Sequence, residues 1–136
     1  MNTSKLNLMF FLALAMFCCH ELDAVSKLEW RLLPGLNLLD DSTALKVFVL
    51  AHIPLFTAVF WLCSHQNKAI ARKSRFYVCL LLSIHGIAHL IFDAINHVEY
   101  RFEAPLDLFT VYGAALTSIV YLLLDRKAID VDHSKA

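Results

Sequence analysis

Long apolar runs alternate with short polar stretches along the 136-residue chain and divide it into four hydrophobic segments. Each segment is close to or above the length of about 20 residues that a helix needs to cross a bilayer. Polar stretches at 34–42, at 64–74 and around Pro105 separate the segments. The pattern therefore predicts an all-α protein, a four-helix transmembrane bundle, with helices at about 6–31, 43–64, 75–98 and 106–125.

The chain length and the ends of the predicted helices give further predictions. The length predicts one integral membrane domain over residues 1–136. Ser42 is the expected N-cap of the second helix, and the polar tail 126–136 is expected to be flexible. Lys5 and the apolar run after it are similar to a secretory signal, but the helical pattern continues to Leu28, which favours a retained first helix.

Positive charge is distributed unequally between the two sides of the predicted bundle. Eight of the twelve Lys and Arg residues fall near the termini or in and beside the 64–74 loop, and four fall on the opposite side. The positive-inside rule therefore predicts that both termini and this loop are cytoplasmic. Trp30 and Trp61 are expected in aromatic belts at opposite rims, with Glu29 and Arg31 beside Trp30 as an interfacial anchor.

Composition narrows the class of protein. Hydrophobic residues make up 59% of the chain, against about 45–50% in soluble domains, so we expect a multi-pass membrane protein with membrane lipid as its partner. The zero net charge and the lack of a basic, aromatic patch argue against nucleic acid. The four cysteines show no CxxC spacing and are interpreted as packing residues. No dinucleotide-binding glycine pattern, P-loop or GxSxG is present.

The third segment contains ionisable residues at helical spacing. His85, His89 and Asp93 lie on one face within roughly 80°; Asn96 falls inside this arc and His97 at its edge. Such groups cost about 2.5–3.5 kcal/mol each inside hydrocarbon, so by default they mark a functional site. This face is predicted to turn toward protein, metal or water.

Histidines of three segments fall at one predicted depth. A rise of 1.5 Å per residue places His20, His52, His85 and His89 between the midplane and the outer leaflet, with Asp93 just above. Two histidines at i and i+4 can hold one ion, and further histidines and carboxylates can complete its shell. The sequence therefore predicts a divalent metal, zinc or iron, on these four histidines.

Two acidic residues follow His20, and both cannot point the same way. Glu21 and Asp23 diverge by roughly 160° on a helix. We expect Glu21 and Asp93 to be the catalytic groups, whereas Asp23 orients a histidine or pairs with Lys27. Asn96 and His97 are expected behind the metal ligands. The expected function is a metal-dependent hydrolase or oxidase of a membrane-soluble, lipid-like substrate.

Other interpretations stay open at this point. The protein could be a non-catalytic accessory or proton-relay subunit whose buried polar groups specify helix packing. It could also carry haem or quinone, with a pair such as His52 and His85 as axial ligands, since His85 and His89 share one helix. His52 precedes Pro54 and could hydrogen-bond a carbonyl freed by a proline kink. Asp93, Asn96 and His97 could form only the hydrated end of the helix.

A longer motif adds a resemblance. The stretch from Cys18 to Ala24, with the letters CCHELDA, is followed by Glu29-Trp30-Arg31 and a later HGIAH. Together with the four-span length, it resembles small bacterial integral membrane proteins of unknown function over roughly 6–125. The resemblance supports the topology, draws attention to the motif residues and implies no substrate.

Overall fold

The computed structural model describes residues 3–95 and 104–133, and every regular element in these ranges is helical. The α-helices are α1, Thr3–Ser26; α2, Asp41–Cys63; α3, Lys68–Ile95; α4, Ala104–Phe109; and α5, Val111–His133. Two short 3-10 helices, Glu29–Leu32 and Leu36–Leu38, lie between α1 and α2. The all-α class predicted from the hydrophobic pattern is confirmed.

Within the described residues, four helical stretches are long and apolar enough to cross a membrane. They are Ser4–Ser26, Asp41–Cys63, Lys68–Ile91 and Leu106–Arg126. Their number agrees with the four predicted spans and supports a multi-pass membrane protein. Which side of the membrane holds the termini stays a prediction.

The first helix ends earlier than the hydrophobic pattern predicts. α1 stops at Ser26, and Leu28 adopts a left-handed conformation with φ 57° and ψ 37°. A non-glycine residue costs on the order of 1 kcal/mol there. The apolar spacing continues through Leu28, so periodicity alone could not show that the backbone leaves the helix.

Side-chain caps set two other boundaries. Asp40, and not the predicted Ser42, is the N-cap of α2, because its carboxylate accepts a hydrogen bond from the Thr43 N–H at 3.1 Å. α3 begins at Lys68, ahead of the predicted start at 75, where the Asn67 side chain accepts a hydrogen bond from the Ala69 N–H at 2.9 Å. Polar side chains thus start both helices by satisfying free N–H groups.

The fourth predicted helix is divided at Thr110 and extends further than expected. The Thr110 hydroxyl donates to the Leu106 carbonyl at 2.9 Å and competes there with the Thr110 backbone N–H. Such a bond locally bends a helix. α5 then continues to His133, so part of the tail predicted to be flexible is helical.

The chain divides into two compact units, one of residues 1–20 and 75–136 and the other of residues 21–74. In the first unit, the Phe10 ring of α1 lies 6.0 Å from the Tyr121 ring of α5. A methyl group added at Gly86 of α3 would overlap the Ala115 side chain of α5. Small residues therefore let α3 and α5 approach closely.

In the second unit, the residues after α1 fold against the start of α2. Trp30 is 3% exposed and belongs to a cluster with Ala24, Ala44 and Phe48. Arg31 binds Asp41 through two hydrogen bonds, of 2.9 Å and 2.5 Å. Glu29 and Trp30 are both buried. The interfacial anchor predicted for Glu29-Trp30-Arg31 is therefore wrong for these two residues. Trp61 is 67% exposed, as expected of a belt residue.

Candidate metal centre

Three of the predicted histidine ligands converge within the first unit. The ring centroid of His20 lies 5.0 Å from that of His85 and 4.7 Å from that of His89, and the His85 and His89 centroids are 4.7 Å apart. Each ring offers one nitrogen, and these nitrogens all lie within 4.8 Å of one another. We call this group the histidine triad.

The spacing of the triad suits a shared metal ion. The Nε2 atoms of His20 and His85 are 3.0 Å apart. Two nitrogens bound to a tetrahedral zinc at 2.0–2.1 Å would be separated by about 3.3 Å, which is close to the spacing of this pair. Imidazole nitrogen is a ligand for zinc, copper, iron and nickel. The donor set and its spacing therefore fit a transition metal.

Local helix geometry explains how the triad forms. His85 and His89 lie one turn apart on α3, so their rings project from the same face. Gly86, between them in the sequence, points about 100° away from His85 and lies against α5. α3 thus presents two histidines on one side while it packs closely on another, and α1 supplies His20.

The three imidazoles differ in exposure. His20 is 1% exposed and His89 is 8% exposed, whereas His85 is half-buried. The close contact of the His20 and His85 Nε2 atoms requires that one ring donate and the other accept. This hydrogen bond offsets part of the cost of burying both rings.

Phe17 adjoins the triad, a contact that the histidine spacing does not predict. Its ring lies edge-on to the His85 ring at 5.6 Å and an interplanar angle of 89°, and 6.3 Å from the His20 ring. The sequence held a signal for this position, because a residue three before His20 lies only about 60° from it around α1. Phe17 therefore packs against two of the three rings of the triad.

His52, the fourth predicted ligand, has two hydrogen bonds of its own in the second unit. Its Nε2 lies 2.8 Å from Oε2 of Glu21, and its Nδ1 lies 2.7 Å from the backbone carbonyl oxygen of Phe48. Both ring nitrogens are therefore engaged. Pro54 frees the carbonyl four residues earlier, at Leu50, so the bond to Phe48 is not the proline-gap bond considered above.

The remaining predicted site residues have different surroundings. Asp23 forms an ion pair with Lys27 at 2.7 Å, which is one of the two roles expected for it. Glu21, predicted to be catalytic, contacts His52. The backbone of Asp93 is helical, but its side chain lies outside the described residues, as do Asn96 and His97 in full. Their predicted roles stay predictions.

Comparison with known proteins places the chain in a family. No curated protein and no solved structure matches it. A family model matches residues 6–128, which include all three histidines of the triad. The chain belongs to this family, which is described as a family of unknown function, DUF6713.

Proposed function

We propose that this protein is a membrane enzyme that holds a divalent transition metal, zinc or iron, on His20, His85 and His89. It would act as a hydrolase or oxidase on a membrane-soluble substrate. The observation that carries this proposal is the convergence of three imidazoles whose nitrogens lie within 4.8 Å of one another. Each histidine lies inside a helix apolar enough to span a membrane, where unpaired polar groups are costly.

Among the side chains that the structure describes, three histidines converge, and a three-histidine donor set favours catalysis over a purely structural role for the metal. Structural zinc sites are closed by four protein ligands, whereas catalytic sites keep three and leave one position for water or substrate. When bound, the metal would supply Lewis acidity and activate water or oxygen at the open position. The chain's own contribution is positional, because α3 spaces two rings by one helical turn and α1 brings the third against them.

The direct test is the metal content of protein purified without an affinity tag. We expect about one zinc or iron per chain in the wild type, as measured by inductively coupled plasma mass spectrometry. His20→Gln and His89→Gln should each lose most of the metal, because two neutral ligands bind far more weakly than three. His65→Gln is the matched control, since His65 lies in the loop before α3 and its Nδ1 accepts the Asn67 N–H.

Two results would contradict the proposal. One is wild-type protein that lacks stoichiometric metal and takes up none when zinc or Fe²⁺ is supplied. The other is equal metal content in His89→Gln and His65→Gln protein, because the metal would then be bound elsewhere.

One observation favours a second candidate, a non-catalytic accessory subunit that relays protons. The His20 and His85 rings hydrogen-bond directly at 3.0 Å, and a neutral imidazole can accept a proton at one nitrogen while it releases one from the other. Proton flux into vesicles that contain metal-free wild-type protein, lost in His85→Gln protein, would support this candidate. A haem held between two rings of the triad is disfavoured, since rings with centroids 4.7–5.0 Å apart leave no space for a macrocycle between them.

We also propose a membrane location and an orientation for the protein. The excess of Lys and Arg near the termini and the 64–74 loop supports a protein with both ends in the cytoplasm. We place it in the inner membrane of a bacterium, with the triad in the outer half of the bilayer. Protease protection of tags fused to each terminus tests the orientation.

A further inference from the structure

The triad is unequally shielded from its surroundings. His20 and His89 are buried, and His85 is the one ring of the three with substantial exposure. A ligand that approaches an ion held by these rings would therefore pass on the His85 side. What surrounds His85 on α3 then decides what kind of molecule can reach the site.

Exposed apolar side chains flank His85 on one side only. Leu81 lies about 40° from His85 around α3 and Ile84 about 100° from it in the same direction, and they are 59% and 54% exposed. In the other direction, Leu82 and Gly86 are buried. This part of α3 is apolar enough to lie within a bilayer, where an exposed ring would meet acyl chains and not water.

Phe17 stands beside this approach. Its ring packs edge-on against His85 and lies 6.3 Å from the His20 ring, so it borders two of the three rings that an incoming molecule would approach. An aromatic ring at this position excludes water from that side of the triad and offers an apolar surface to a hydrocarbon tail.

We infer that the open coordination position is reached sideways from the acyl-chain region past His85, and that Phe17 determines which ligands reach it. The ligand class is an apolar-tailed molecule dissolved in the bilayer with an oxygen-donor head. This inference rests on the proposed metal site and adds to it a route, a substrate class and a specificity-determining residue.

The test uses full-length protein loaded with Co²⁺ in lipid nanodiscs. Cobalt absorption in the visible range reports a new ligand, and the probes are octanohydroxamate, which has an apolar tail, and acetohydroxamate, which has none. Phe17→Ala should bind octanohydroxamate about tenfold faster than the wild type, as expected when a blocking side chain is removed from a path. Phe11→Ala is the matched control, because Phe11 lies on the same helix about 13.5 Å from His20 along the axis.

A second pair of variants tests the route without enlarging any space. Leu81→Trp should slow octanohydroxamate binding about tenfold, because an indole would fill the approach beside His85. Leu90→Trp is the control, since Leu90 is similarly exposed, at 56%, but lies about 140° from His85 around α3. Phe17→Leu, which retains an apolar side chain, replaces Phe17→Ala if the latter does not fold.

The outcomes separate the inference from the proposed function. Unchanged octanohydroxamate rates in both Phe17→Ala and Leu81→Trp, with wild-type cobalt spectra, would overturn the lateral route and leave the metal site standing. Equal slowing by Leu81→Trp and Leu90→Trp would also overturn it. Failure of the wild type to bind Co²⁺ at the triad would overturn the metal site itself.

Discussion

Oε2 of Glu21 lies 2.8 Å from Nε2 of His52, and the Nδ1 atom of the same ring lies 2.7 Å from the Phe48 carbonyl oxygen. The carbonyl can only accept, so Nδ1 carries a proton. The contact between the ring and the carboxyl group then holds one further proton, which resides on either the imidazole or the carboxyl group. A pair that shares this proton is neutral overall, as its position in a membrane-spanning helix favours.

This arrangement predicts different effects for two substitutions of Glu21. Glu21→Ala leaves Nε2 of the half-buried His52 without its partner and should lower the free energy of unfolding by about 1–3 kcal/mol. Glu21→Gln should cost much less, because its amide can donate to Nε2 of neutral His52. Denaturant titration in mixed micelles measures both.

The neighbouring Leu22→Ala is the control for this pair, because Leu22 is 76% exposed. A double-mutant cycle with His52→Ala should show strong non-additivity. Additive costs would mean that Glu21 and His52 do not interact, which would contradict the assignment.

Close contact between α3 and α5 predicts that Gly86 does not tolerate a side chain. The added methyl of Gly86→Ala would overlap Ala115 and should destabilise the protein by about 1–3 kcal/mol through overpacking. Ala115→Gly in the same protein removes the obstructing methyl and should restore most of the loss. Thermal unfolding of the single and double variants measures this, and a double variant no more stable than Gly86→Ala would show that the two helices do not meet there.

The two tryptophans should respond differently to truncation. Trp30→Ala removes a buried ring from contact with Phe48 and should cost about 3–5 kcal/mol. Trp61→Ala removes a side chain that is two-thirds exposed and should change the unfolding midpoint far less. Similar losses in both variants would indicate that Trp30 lies at the membrane surface, as the sequence alone suggests.

Stability should depend on pH through Asp40 at the start of α2. The hydrogen bonds that its exposed carboxylate accepts from Thr43 lower the pKa of Asp40 below its ordinary value. A lowered pKa in the folded state means that the stabilising contribution is present above the unfolded-state pKa and is lost as pH falls through the folded-state pKa. Asp40→Ser keeps an acceptor that does not titrate.

We therefore expect the unfolding midpoint of the wild type to fall relative to that of Asp40→Ser as the pH is lowered from 6 to about 3. Asp40→Ala should be less stable than Asp40→Ser throughout, because it has no acceptor for the Thr43 N–H. A pH-independent difference between wild type and Asp40→Ser would rule out the carboxylate as the titrating cap.

Much of the candidate site follows from local periodicity. His85 and His89 are one helical turn apart, so any helix over this segment places both on one face. Counting rise per residue also puts His20 near their level once α1 and α3 are assumed to span the same layer. The shared face of His85 and His89 and the similar depth of His20 are therefore within reach of a sequence argument, since they depend on helical phase and rise per residue.

Other contacts depend on how the helices are rotated and where they end. Depth alone groups His52 with the other histidines, but its ring nitrogens bond Glu21 and Phe48. Trp30 carries the signature of a rim residue, but the left-handed turn at Leu28 directs the following residues back onto α2. Neither the rotation of a helix about its axis nor a break within a periodic run is encoded in hydrophobicity.

By itself, the sequence determined the number of spans, the all-α class and the face shared by His85 and His89, because helix length and phase are local and hydrocarbon thickness is constant. Tertiary structure alone decided that His20 joins these two rings, that Phe17 flanks them and that Glu21 pairs with His52. Glu21 and His52 are 31 positions apart, His20 and His85 are 65 apart, and Phe17 and His85 are 68 apart. Such contacts form only when separate helices meet at particular rotations.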